Sequence, residues 1–173
     1  FGIAAYEKDQ SVGNGPPNDG GPLTLNCTVY PKGLGVQAVS ELVYDISGYN
    51  YGFFKSFVGI DDEIPYNSCG SVRFSVLVDN VLVYNGGTML ATTPTAAISI
   101  NLNNASTLKL VVTDNGDGES CDHGDWADAK LAGDCSLVDK LAPTAISNLL
   151  GINNNNIYTV SWTAGTDNID TEL

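Results

Sequence analysis

VRFSVLVDNVLVY, residues 72–84, is the stretch whose pattern decides the fold. Val72, Phe74, Val76 and Val78 fall on one face of an extended chain, and Arg73, Ser75 and Asp79 on the other. A period of two marks a strand with one buried face. Asp79-Asn80 supplies a turn pair, and VLVY begins a second run. The stretch therefore predicts a hairpin. Working outward, AISINLN (97–103) places Ile98, Ile100 and Leu102 together, and LKLVVT (108–113) does so with Leu108, Leu110 and Val112. LTLNCTVY (23–30) and FFKSFVGI (53–60) read as strands, and KGLGVQAVSELVYDI (32–46) as a glycine-rich turn feeding another. In DWADAKL (125–131), Ala127, Ala129 and Leu131 share one face, with Trp126, Asp128 and Lys130 opposite. No segment keeps helical apolar periodicity over three turns. Short strands separated by turn residues predict an all-β, antiparallel β-sandwich, jelly-roll-like, over residues 1–135.

Composition narrows the partners. Seven Lys+Arg stand against 20 Asp+Glu, a formal net charge of −13. Nucleic acids and anionic membranes need a basic surface, so neither is expected as partner. No apolar run is long enough to span a bilayer. The opening at Phe1, without a leader, reads as a mature or excised product. Cys27, Cys69, Cys121 and Cys135 show no CxxC spacing, which disfavours zinc. An even count at scattered positions favours two disulfides and an oxidising compartment, with four free thiols as the competing reading. Four cysteines allow three pairings, and sequence does not choose among them. The pairing adopted as expectation is Cys69–Cys121, joining two loops, and Cys27–Cys135, joining the ends of the domain.

Polar chemistry concentrates in DNGDGESCDHGDWADAKL (114–131), which holds the single histidine, His123. Three functions compete for it. Asp114, Asp117 and Asp125, with Asp122 among them and Gly116 and Gly118 to tighten the loop, offer hard oxygen ligands for calcium. The spacing is not that of an EF-hand, and a solvated acidic loop explains it equally. Asp61-Asp62-Glu63 is a second acidic candidate. Catalysis by paired carboxylates or by a Ser-His-Asp set is conceivable, yet no GxSxG elbow exists. The third function is a pocket for a polyol. Asp, His and Asn bind hydroxyls, and an aromatic ring covers the C–H face of a sugar. By strand parity Trp126 lies opposite Ala127, Ala129 and Leu131, so it is expected to face a ligand unless a bulge turns it inward.

YEKDQSVG (6–13), LTLNCTVYPKGLGVQAVSELVYDISG (23–48), FFKSFVGIDDE (53–63), CGSVRFSVLVDNVLVYNGG (69–87) and LKLVVTDNGDGESCDHGDWADAKL (108–131) follow in an order that resembles the family-51 carbohydrate-binding modules, or NPCBM domains. The resemblance covers about residues 2–132 and is most specific in DHGDWADAKL and KGLGVQAVSE. It implies a galactose-binding-domain-like β-sandwich that is not an enzyme and that serves a secreted or cell-surface glycoside hydrolase. The implied partner is a glycan ending in galactose or N-acetylgalactosamine, and the implied cofactor is a structural calcium. Asp122, His123 and Trp126 are the sugar contacts expected first, with Gln37, Glu7 and Asp9 behind them. Gln37 stands where the family usually has His, which bears on specificity. After a linker at 136–142, residues 143–173 resemble the opening of a fibronectin type III repeat. The family also usually has a short strand before the segment matching FGIAAYEKD. A sheet edge left open there suggests the rival function, self-association into an extracellular filament or array by strand exchange through the C-terminal segment.

Overall fold

The computed structural model describes residues 6–13, 18–65, 69–133, 147–154 and 157–163. The chain divides into two compact units, Phe1–Asp134 and Cys135–Leu173. In the first, the strands are β1 (Glu7–Lys8), β2 (Thr24–Leu25), β3 (Thr28–Val29), β4 (Gly33–Gln37), β5 (Ser40–Asp45), β6 (Tyr51–Ile60), β7 (Ser71–Val78), β8 (Val81–Asn85), β9 (Met89–Leu90), β10 (Ala96–Asn101), β11 (Thr107–Thr113) and β12 (His123–Gly133). No helix occurs among the described residues. One sheet runs β1-β4-β12-β6-β10, and the other runs β5-β11-β7-β8 with β9 also on β7. The pairings are antiparallel throughout.

The alternation seen in the sequence makes the core. Val72, Phe74 and Val76 are fully buried from one sheet, as are Leu108, Leu110 and Val112; Val58, Ile98 and Ile100 meet them from the other. Asp79 and Asn80 form the β7–β8 turn with φ of 47° and 64°, a left-handed pair that short polar side chains tolerate. The segment 23–30 is not one strand. Asn26 and Cys27, at φ 46° and 63°, fold it into the β2–β3 hairpin.

Strand β12 departs from simple alternation. Its register against β6 slips between Ala127 and Lys130, and Asp128 takes φ 49° while its N–H bonds the Lys32 carbonyl at 2.7 Å. The inserted residue reverses parity. Trp126 before the bulge and Ala129 and Leu131 after it all pack on the core. The expectation that Trp126 faces away from Ala129 and Leu131 is therefore corrected. The indole is 0% exposed, edge-on to Phe74 with centroids 5.0 Å apart, and 6.1 Å from Phe54.

Beyond the bulge, β12 has no paired strand on one side among the described residues. β4 pairs with it only from His123 to Ala127. A cleft of about 670 Å³ opens beside the unpaired stretch, floored by Leu34, Phe54, Leu108 and Leu110.

Cys69 and Cys121 are disulfide-bonded, as expected. Cys27 is exposed in the β2–β3 turn, and its expected partner Cys135 lies outside the described residues. In the second unit, β13 (Ser147–Asn154) and β14 (Ile157–Thr163) form an antiparallel hairpin. The expected linker at 136–142 also lies outside the described residues.

Candidate functional site

Four loops and strand ends meet at one end of the sandwich. β12 starts there at His123, directly opposite Gln37 at the end of β4. β6 runs into Asp61–Ile64, and the 114–122 loop returns from β11. The disulfide holds that loop to the segment entering β7. Asp122 Oδ1 accepts the Ser71 N–H at 2.7 Å, and Asp117 Oδ2 accepts the Ser71 hydroxyl at 2.8 Å. Gln37 donates its side-chain amide to the Glu119 carbonyl.

Behind this end lies a buried acidic row. Asp125 sits on the outer face of its sheet between Gly35 on β4 and Gly59 on β6. These glycines let the backbone at Gln10–Ser11 and the Leu25 side chain lie directly on the sheet. A Cβ at position 35 would stand 2.5 Å from the Gln10 carbonyl oxygen, and one at 59 would stand 3.1 Å from the Leu25 side chain. Roofed in this way, Asp125 is 1% exposed and Asp61 2%. Asp61 accepts N–H groups from Thr24 and Glu63, whereas among the described residues no donor reaches either oxygen of Asp125. Burial, then the adjoining Asp61 side chain, pushes the Asp125 carboxyl well above its ordinary range. Burial also raises Asp61. Two carboxyls in contact without a donor between them cannot both ionise, so they share a proton. Next to them Glu63 Oε1 lies 2.7 Å from His123 Nδ1, and its other oxygen accepts the Ser11 hydroxyl at 3.2 Å. A carboxylate only accepts, so Nδ1 carries the hydrogen.

The structure separates the residues expected to touch sugar. Trp126 and Asp122 are both 0% exposed, so neither side chain presents surface at this end. His123 and Glu7 are each 4% exposed; His123 Nδ1 is occupied by Glu63, and the Glu7 carboxylate is occupied within the protein. The Glu7 carboxylate accepts from Asn18 N–H, Gly20 N–H and the Gln10 amide, which shapes the roofing loop. Asp9 sits at the other end of β4, bonded to Lys32 Nζ at 2.8 Å and to Gly33 N–H. Of the six, Gln37 alone lies at the loop end with part of its surface open.

The calcium triad also divides. Asp114 and Asp117 act electrostatically on Asp122, whereas the acidic neighbours of Asp125 are Asp61, Glu63 and Asp62. Asp114 accepts Gly116 N–H within its own turn, and Asp117 accepts the Ser71 hydroxyl on β7. Among the described residues no group of three His, Cys, Asp or Glu is placed to hold a metal ion. Calcium also takes backbone and amide carbonyl oxygens, so side-chain clustering alone does not decide the structural calcium that the family resemblance implies. The triplet at 61–63 is likewise committed. Asp62 accepts the N–H groups of Asn26 and Cys27, and its neighbours serve Thr24 and His123.

What the loop end exposes is a set of hydrogen-bonding groups and an apolar spot. Gln37 is partly open, Glu63, Asp117 and Glu119 are exposed, and Val39, two residues after Gln37, is 59% exposed. The histidine is buried on a carboxylate, with no nucleophile bonded to it. Such an end can bind hydroxyl donors.

Residues 1–132 match the NPCBM/NEW2 domain family. The structure of CBM51 from Clostridium perfringens GH95 in complex with methyl-galactose is 37% identical in sequence, covers 76% of this chain and 90% of its own, and superposes with a TM-score of 0.68. The structure of CBM51-2 in complex with GlcNAc and INT domains from Clostridium perfringens ZmpB is 32% identical, covers 77% of this chain and 28% of its own, with a TM-score of 0.67. A Renibacterium salmoninarum protein named "Putative endo-alpha-N-acetylgalactosaminidase" is 34% identical over 151 residues, which are 87% of this chain and 10% of that protein. With this sandwich, this disulfide-held loop end and a match across 1–132, the chain belongs to the NPCBM/NEW2 domain family and contains a non-catalytic carbohydrate-binding module.

Proposed function

We propose that the module binds glycans ending in galactose or N-acetylgalactosamine and holds a secreted or cell-surface glycoside hydrolase near them. The observation that carries this reading is the likeness, across nearly all of its length, to a module whose structure contains methyl-galactose. The relative named for α-N-acetylgalactosamine chemistry points the same way. The loop end around Gln37 and Val39 is where sugar hydroxyls would find acceptors and an apolar surface. A shallow site for one sugar binds weakly. At about 0.3 kcal/mol per heavy atom, methyl-galactose gains about 4 kcal/mol, a Kd of about 1 mM.

Titration of the ¹⁵N-labelled chain with methyl-galactose should move the amides of Gln37, Val39 and Glu119 along one saturable curve. Gln37→Ala should weaken that curve and leave Tm unchanged. Saturable shifts confined to another surface, or none far above 1 mM, would remove the galactose reading.

One observation favours a second function, strand exchange between copies. Among the described residues the edge of β12 is unpaired beyond Ala127 and stands over an apolar cleft. An added strand would cover both. The expected result is a concentration-dependent mass above 18.2 kDa in solution, and a constant monomer mass would end this alternative.

A further inference from the structure

We propose that the uncovered part of the first sheet's outer face is a second glycan contact, selective for sugar rings that carry a carboxylate. The chain that roofs Asp125 ends against this face at Tyr30, whose ring meets Phe57 with centroids 5.3 Å apart. Past that wall the outward positions of β6 are Phe57, Lys55 and Phe53, since Phe54 and Val58 point into the core. A solvent-facing sheet surface is ordinarily polar. Here Phe57 is 36% exposed and Phe53 is half-buried, with Lys55 between them.

The pairing makes a row across three strands. Lys55 is the direct partner of Lys130 on β12 and of Ser99 on β10. Like charges placed opposite each other destabilise a sheet. The chain has only seven basic residues against 20 acidic ones, yet two of the seven are set together on an open face. Lys130 Nζ is bonded to Asp128 Oδ2 at 2.6 Å. Lys55 has no carboxylate partner among the described residues, and its Nζ stands 5.5 Å above the Phe53 ring. Ala97 beside Phe57, and Ala132 beside Phe53, keep the surface low.

A carboxylated pyranose complements each part of this shelf. Its C–H face lies on a phenyl ring, its carboxylate offers one oxygen to each ammonium, and Ser99 and Asn101 reach its hydroxyls. Each strand step of two residues advances about 7 Å, so the rings flanking Lys55 leave room for one sugar between them. The inference rests on the glycan-binding reading for the class of ligand and not for the residues, which are distinct from those at the Gln37 end.

The test is a pair of titrations of the full ¹⁵N-labelled chain. Methyl galactoside is compared with the methyl glycoside of galacturonic acid, the same ring with a carboxylate at C6, and with the methyl glycoside of N-acetylneuraminic acid. Either acid should move the amides of Lys55, Phe57, Ser99 and Lys130 in a saturable, salt-sensitive way, and the neutral galactoside should not. Lys55→Ala should weaken the acid about tenfold, as expected for loss of one charge-assisted contact, and leave methyl-galactose binding as it was. Equal response to the acid and neutral rings, or no shifts on the shelf with either acid, would overturn the inference. Failure at Gln37 with success on the shelf would sink the galactose reading alone.

Discussion

Trp126→Ala should unfold the module at temperatures the wild type withstands, rather than subtract a sugar contact. The indole is fully buried against Phe54 and Phe74, between Leu34 and Val58 in register. Its loss removes the largest apolar group of the core and leaves a cavity at the centre of two five-stranded sheets. Substitutions of this kind cost about 3–5 kcal/mol. Domains have about 5–15 kcal/mol in all, so the variant should melt about 10–20 °C lower. Trp126→Phe keeps an edge-on aromatic partner for Phe74 and should lose less than half as much. Calorimetry on the three proteins decides the matter. If Trp126→Ala melts with the wild type and binds no glycan, the indole lies on the surface and the β12 register described above is wrong.

The fold was legible in the sequence wherever alternation is uninterrupted. Val72 to Val78, Ile98 to Leu102 and Leu108 to Val112 all bury the face their pattern marks. Legibility stopped at single inserted residues. Asp128 in a left-handed conformation turns the parity of β12, and Asn26 with Cys27 splits one expected strand into a hairpin. Asp and Asn tolerate that conformation, but nothing in their immediate sequence says that they adopt it. The candidate site was less legible, for a related reason. The acidic triplet and the His123 cluster both stand out as dense polar runs, whereas their roles come from partners about 60 residues apart. Glu63 receives His123, and Asp61 adjoins Asp125. Periodicity says nothing of such pairs. Gly35 and Gly59 look like turn residues or weak strand positions, and only the roofing chain shows that they clear its path.

Stability should fall as pH rises from 5 to 8, which is the reverse of the usual effect of hydrogen-bonded carboxylates. Two groups determine the sign. Burial, with added repulsion from Asp117 and Asp114, raises the Asp122 carboxyl to about 6, although the Ser71 N–H partly opposes this. Burial and the adjoining Asp61 raise Asp125 well above its ordinary value. A carboxyl whose folded pKa lies above its unfolded one favours folding while it is protonated. That contribution is complete below about 4 and is lost as pH climbs through the folded value. For Asp122 the loss accumulates between about pH 4 and 6 and totals on the order of 2–3 kcal/mol, at about 1.4 kcal/mol per unit. The Asp125 contribution has the same sign. Asp9, Asp45 and Asp79 have lowered values and do not titrate there, so they leave the slope alone. Asparagine keeps the shape of the neutral acid and has no proton to lose. Asp125→Asn can also donate an amide hydrogen to Asp61. Tm measured at half-unit steps should therefore decline from pH 5 to 8 in the wild type, less steeply in either single asparagine variant, and hardly at all in the double variant. A wild type that grows more stable across this range would show that both carboxylates are ionised and satisfied by a partner, and a cation between Asp61 and Asp125 would then be the group to look for.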